Sequence, residues 1–323
     1  MKGQPISTQG NLTVYSAQVK SGKTAVSGAL VASVLVADRG EENSADCGID
    51  EIIVEQPDLL GFKAAPSEGK AIIVFDTEQS SYDAYGQAAR ITKRAGQSTL
   101  PGNYFFYSMV GLSASDVRAA LRLVLDDASA QCGGIHSVLL DGVADLCADV
   151  NDPMESGDLV VELMAHAANH CCPMVCILHE NPASPKMAGK TRGHLGSQLE
   201  RKAESNLRVV KTGEISVVYG EKCRSSHIPE ERGPRFQWSD EKMMHVSVVV
   251  DQTATKAAQE CEKHRNAIEA VFEGIVGPIK WGVLKERVMN AAKLPSATAE
   301  RRIREWEKLG MIQKWSEGGY VKV

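Results

Sequence analysis

The chain has 323 residues, enough for one large domain and one small one, and its 43% hydrophobic and 24% charged content is that of an ordinary globular protein. Its net charge of −5 is uneven: from Glu262 onward 12 Lys and Arg stand against 8 Asp and Glu, a surplus of +4, leaving 24 against 33, or −9, for the first 261 residues. No apolar run reaches membrane-spanning length and the start "MKGQPISTQGNL" lacks a signal-peptide core, so neither a membrane span nor secretion is expected and the location expected is cytoplasmic.

The body alternates short apolar β-type runs with helical patterns, as parallel strands joined by crossover helices do. "LTVYSA" (12–17) predicts a strand, and "TAVSGALVASVLVA" (24–37) predicts a helix apolar almost all round and therefore buried. Residues 38–70 give no clear pattern. "AIIVFDTE" (71–78) predicts a second strand, and "SASDVRAALRLVLDDAS" (113–129) a helix opened by Ser and Asp. "HSVLLDG" (136–142) and "PMVCILHE" (173–180) predict two more buried strands, with "ESGDLVVELMAHAANH" as the helix between them. "NLRVVKTGEISVVYGEKC" (206–223) and "FQWSDEKMMHVSVVV" (236–250) read as hairpin-like strands. Together these predict an α/β domain over 1–255.

A charged helical stretch leads to a separate tail, 262–323. There "IKWGVLKERVMNAAKL" predicts one helix and "SATAERRIREWEKLGMI" another, with Ala299, Ile303, Trp306 and Leu309 on its apolar face. "IQKWSEGGYVKV" predicts a hairpin at Glu317-Gly318-Gly319. Three helices and a two-stranded wing follow the order of a small α+β winged-helix domain.

The eight cysteines form no disulfide framework and read as reduced, mostly buried thiols. Glu162, His166 and His170 stand at i, i+4 spacing before "HCCPMVC", but without a C-x-x-C pair the run is expected to enter a buried strand rather than hold a metal.

Gly22-Lys23-Thr24 is by itself a common tripeptide, and alanine stands at 17 where the phosphate-loop pattern G-x-x-x-x-G-K-[ST] has its first glycine. Its setting is more specific: a strand runs in and an apolar helix runs out. There Ala17, Gln18, Val19, Lys20, Ser21, Gly22, Lys23 and Thr24 form the loop, and the N–H groups of Val19 to Thr24 wrap the phosphates at a helix N-terminus. Lys23 would reach the β- and γ-phosphates and the Thr24 hydroxyl would ligate Mg²⁺. A positive φ at residue 17 would disfavour alanine there. Asp141, ending "SVLLD", supplies a carboxylate that holds Mg²⁺ through water; otherwise it starts a helix. Glu78, after the strand "AIIVFD", is placed to accept a proton from the water attacking the γ-phosphate.

Over about residues 8–250 the sequence resembles the RecA-like ATPases, in the branch of the plasmid replication helicases (RepA-type) and the DnaB-related helicases. "VKSGKT" stands for Walker A, "VFDTEQS" for the catalytic-glutamate strand and "VLLDGVADLCADVND" for Walker B. The resemblance implies a RecA-like P-loop NTPase core with a mostly parallel central sheet, using ATP and Mg²⁺. It places His179 where the family carries a γ-phosphate-sensing polar residue, usually glutamine, and puts Arg192 and His194 in a mobile loop (190–196) that faces DNA. "EKCRSS" matches the K-x-R element that reaches a neighbouring subunit's nucleotide. This implies Lys222 and Arg224 as trans-acting fingers in a homo-oligomeric ring such as a hexamer, the plain alternative being a solvated strand end. Glu78, Lys23, His179, Lys222 and Arg224 are then the catalytic set. The primase-binding N-terminal domain of replicative helicases has no counterpart, which points to a plasmid or mobile-element relative.

In the tail, Arg301, Arg302, Arg304, Lys308 and the wing residues Lys314 and Lys322 are candidates for DNA contact, diluted by Glu300, Glu305 and Glu307. A protein partner for the tail is the alternative. The expected function is an oligomeric, Mg²⁺-dependent ATPase, a motor or helicase acting on DNA in replication or mobilisation of a mobile element. The alternatives are an ATP-switched DNA-binding regulatory protein and a RecA-type recombinase.

Overall fold

The computed structural model describes residues 1, 3–40, 56–180, 191, 193–249, 263–275, 277–316 and 318–322. The chain divides between residues 249 and 250 into two compact units.

The first unit is built on one sheet. Its strands are β1 (Leu12–Ala17), β2 (Ala71–Asp76), β3 (Tyr104–Ser108), β4 (Ile135–Asp141), β5 (Met174–His179), β6 (Ser205–Thr212), β7 (Ile215–Cys223), β8 (Arg235–Ser239) and β9 (Met244–Ser247). They lie in the order β3-β2-β4-β5-β1-β6-β7-β8-β9. The first six run parallel; β7, β8 and β9 add an antiparallel meander. Strands buried on both faces read as continuous apolar runs, which is why β1, β2, β4 and β5 are plain in the sequence. Alternate residues of β2 enter opposite cores, Ile73 and Phe75 on one face, Ile72 and Val74 on the other.

The helices are α1 (Lys23–Asp38), α2 (Ser81–Ala95), α3 (Ala114–Cys132), α4 (Pro153–Asn169) and α5 (Gly193–Lys202). One core packs Leu121, Leu125, Leu159 and Leu163 of α3 and α4 on the sheet, and the other packs Val31, Leu35 and Ile91 of α1 and α2. Side chains set the starts of α2, α3 and α4. Ser80 and Ser113 accept from the N–H groups of Asp83 and Asp116, and Asp152 accepts from those of Met154 and Glu155 ahead of Pro153. β2 stops at Asp76, two residues short of the expected end, so Thr77 and Glu78 lie in the turn beyond it.

In the second unit residues 263–272 are helical (α6), followed by α7 (Trp281–Ala292), α8 (Ser296–Lys308) and a hairpin of β10 (Ile312–Lys314) with β11 (Tyr320–Lys322). Ile279 bridges to Tyr320, adding a short third strand segment. Ile268, Leu284, Val288, Ile303, Trp306 and Ile312 fill one core, in which Trp306 Nε1 donates to His264 Nδ1 at 2.9 Å. Leu309, expected on that apolar face, is instead 49% exposed, because α8 ends at Lys308 and Leu309 only caps it. Among the described residues no helix is long and apolar enough to cross a membrane.

Candidate functional site

The candidate phosphate loop leaves β1 at the C-terminal end of the parallel strands. Ala17 is fully buried, pairs in register with His179, and accepts the N–H of Glu180 at 3.0 Å. Its φ is not positive; the left-handed residues come later, Lys20 at φ 63° and Gly22 at φ 96°. Alanine at 17 is therefore an ordinary strand residue, free of the strain a turn there would impose. Gly22 is the demanding position. A Cβ on it would come within 2.7 Å of the Phe236 ring, so the β8 side chain packs directly on the loop. Ser21 folds back on Gln18, its Oγ donating to the Gln18 carbonyl at 2.7 Å. Beneath the loop the buried Tyr15 hydroxyl donates to the Lys23 carbonyl at 3.0 Å and meets Ser27 Oγ. The N–H groups of Lys23 and Thr24, opening α1, have no acceptor within the helix.

Two carboxylates lie next to the loop. Asp76 and Asp141 are register partners at the ends of β2 and β4. Both are buried. Burial first, then the neighbouring Asp76 charge, raises the pKa of Asp141 to about 7. Burial also raises Asp76, although it accepts the N–H groups of Glu78 and Gln79 at 2.8 Å each and the Gln79 side-chain amide at 2.8 Å. A buried pair of hard oxygen donors suits a hard divalent cation. The described residues contain no group of three or more His, Cys, Asp or Glu able to hold a metal by themselves. Mg²⁺ needs no such cage, being commonly held by one or two protein oxygens with water as the rest, and Thr24 and Asp141 are the residues here that could serve. Thr77 ties the two strand ends together, its hydroxyl 2.7 Å from Asp145 Oδ2 and 3.1 Å from the Asp141 carbonyl.

Glu78, His179 and Lys23 form a chain. His179 Nε2 is 2.8 Å and 3.0 Å from the Glu78 carboxylate oxygens. Lys23 Nζ lies 2.9 Å from His179 Nδ1 and 2.5 Å from Nε2. With Nε2–H donated to Glu78, Nδ1 is the lone pair left to accept from Lys23. The bond from His179 holds Glu78 below the usual carboxylate range, and burial lowers the Lys23 ammonium despite the Glu78, Asp141 and Asp76 charges around it.

A cleft of about 340 Å³ opens beside the loop, lined by Lys20, Thr24, Gln87, Arg90, Trp238 and His245 among others. Trp238 and Phe236 both meet His245 edge-on, with centroids 5.4 Å and 5.5 Å away. The buried Arg94 fastens this wall, donating to the His245 carbonyl at 2.6 Å and to the Asp58 carbonyl. The sequence drew attention to none of Asp76, Gln87, Trp238 or His245. Only Asp76 carries a local signal, a charge closing an otherwise apolar strand.

Lys222 and Arg224 are not brought to this site. Lys222 pairs with Asn206 and Asn206 with Val14, so both lie toward the opposite end of the sheet from Lys23, exposed. Arg224 donates to the Lys202 carbonyl at 3.1 Å. His194 is exposed in the first turn of α5, and Arg192 lies outside the described residues. Behind His179, Glu180 is gripped by Arg208 with two bonds of 2.7 Å and 3.0 Å. Glu162 is ion-paired with Arg118 and Arg122, accepting from each at 2.8 Å, while His166 lies 3.7 Å from Glu162 and His170 3.8 Å from Asp126.

In the second unit the acids of α8 are engaged within the unit, Glu300 with Lys285 at 2.6 Å, Glu305 with His264 at 3.9 Å and Glu307 with Lys314 at 3.6 Å. Arg301, Arg304 and Lys308 are exposed at i, i+3 and i+7, opposite the buried Ala299, Ile303 and Trp306. Arg302 lies beside that stripe and is half-buried.

Neither a comparison with protein-family models nor a search of curated proteins returned a match for the chain.

Proposed function

We propose that the first unit is a Mg²⁺-dependent ATPase of RecA-like type and that the chain acts on DNA as a homo-oligomeric motor, its second unit a winged helix that holds the DNA. The observation that carries this reading is the joining of Glu78 and Lys23 through one imidazole, beside a helix N-terminus and two buried strand-end carboxylates. Mg²⁺ bound by Thr24 and Asp141 would supply charge stabilisation at the phosphates. Lys23 leaves His179 to meet the β- and γ-phosphates. Glu78, already ionised, accepts the proton of the attacking water. His179, in contact with both, is placed to register whether the γ-phosphate is present. The position of Lys222 and Arg224, away from their own loop, suits a role only toward a neighbouring subunit's nucleotide.

The test is phosphate release from ATP by the full chain with Mg²⁺, with and without single- and double-stranded DNA. Mg²⁺-dependent turnover raised by DNA is the expected result. No hydrolysis and no nucleotide binding would overturn the assignment. Tight binding with turnover that ignores DNA would turn it toward a nucleotide-switched regulator.

For the second unit, Arg301→Glu, Arg304→Glu and Lys308→Glu combined are expected to weaken DNA binding and to lower the slope of log affinity against log salt by about 3. Fluorescence anisotropy at several salt concentrations measures both. An unchanged slope would remove this face from the DNA contact and favour a protein partner.

A further inference from the structure

Gln87 lies in α2 and is 3% exposed, yet it lines the cleft beside the phosphate loop. Its carbonyl oxygen is engaged: Gln79 Nε2 approaches Gln87 Oε1 at 3.4 Å. The same nitrogen donates to Asp76 Oδ2 at 2.8 Å, while Asp76 Oδ1 accepts the N–H groups of Glu78 and Gln79 at 2.8 Å each. Three side chains thus run in an unbroken line from the cleft wall to the backbone of the glutamate that faces His179. With its oxygen taken, Gln87 has its amide N–H groups left as donors for a ligand in the cleft.

We infer that Gln87 contacts the nucleoside part of the ligand and that Gln79 and Asp76 are positioning residues that transmit this contact to Glu78. The inference rests on the nucleotide reading above and adds a discrimination to it. A bound nucleoside pins Gln87, which fixes the Gln79 amide, which with Asp76 sets the turn carrying Glu78. Triphosphate without a nucleoside would fill the loop but leave that line unpinned. Placement of a catalytic group by contacts remote from the chemistry shows in kcat as well as KM.

The experiment uses the full chain and steady-state ATP hydrolysis, with inorganic tripolyphosphate as competing ligand. Gln79→Ala and the similarly sized Gln79→Met should both lower kcat about tenfold with KM held within about twofold, as expected for losing one aligned hydrogen bond to a buried carboxyl group. Gln87→Ala should raise KM for ATP about tenfold, lower kcat as well, and leave the inhibition constant of tripolyphosphate within about twofold. A wild-type kcat in both Gln79 variants overturns the relay. Equal weakening of ATP and tripolyphosphate by Gln87→Ala also overturns it, because a general loss of loop structure does not distinguish them. Absence of turnover in the unaltered chain removes the nucleotide reading itself, a failure separate from either of these.

Discussion

Glu78→Gln is expected to keep nucleotide bound and to lose hydrolysis by about 10²- to 10⁴-fold, the span usually supplied by a positioned general base. The turn that carries Glu78 is fixed by main-chain bonds to Asp76, which the substitution does not touch. Glutamine fills the same volume and its amide oxygen still accepts from His179, so site geometry should survive. What is lost is the capacity to take a proton from water. Lys23→Ala should differ in kind, because it removes the cation proposed to meet the phosphates and so should cost binding as well as turnover. Equilibrium binding of a fluorescent ATP analogue beside single-turnover hydrolysis separates the two variants. A Glu78→Gln variant within tenfold of the parent rate would show that Glu78 is not the base.

Arg208→Met is expected to lower stability by about 3–5 kcal/mol, the usual cost of stranding one partner of a buried ion pair. Glu180 has 0% side-chain exposure and Arg208 17%, so solvent screens the pair little. Arg208 also approaches the Tyr219 hydroxyl at 3.4 Å, and its bond with Glu180 raises its own pKa above the ordinary guanidinium value. Methionine keeps much of the stem volume but leaves a carboxylate in the sheet with, among the described residues, only Ser16 Oγ, at 3.4 Å, as a weak partner. Thermal unfolding should show a midpoint roughly 10 °C lower for a domain of this size. Adding Glu180→Gln should restore much of the loss, since the double variant no longer buries an unpaired charge. A single variant within about 2 °C of the parent would refute the estimate.

The parts of this fold that were legible in the sequence are those decided by local chemistry. Strands β1, β2, β4 and β5 are apolar on both faces and announce themselves, as does the all-round apolar α1. Edge strand β3 was not picked out, because its residues are only half-buried and so lack that uniform signal. Helix α2 was missed for a similar reason: its buried positions include Ala84, Gln87 and Arg94, which do not read as a hydrophobic stripe. Lys23, Glu78, Asp141 and His179 were found one at a time as strand-end or loop residues, and the parallel order of the sheet brings them together. The cleft wall was invisible because Trp238 and His245 meet α2 only in three dimensions. Leu309 misled because helical spacing continues in the sequence past the point where the helix itself stops.

Phe236 against Gly22 has a consequence for the order in which the molecule can come into being. The two residues are roughly two hundred positions apart, so the contact is among the most non-local in the unit. A nascent chain that has emitted the Gly-Lys-Thr segment, the first strand and even the parallel sheet still lacks the ring that presses on the loop. The loop is finished from the outside, by the last strands of the meander, after the other elements around it have been made. Translation therefore completes the wall of the loop late, and a fragment ending before β8 would carry the Gly-Lys-Thr segment without the surface that shapes it.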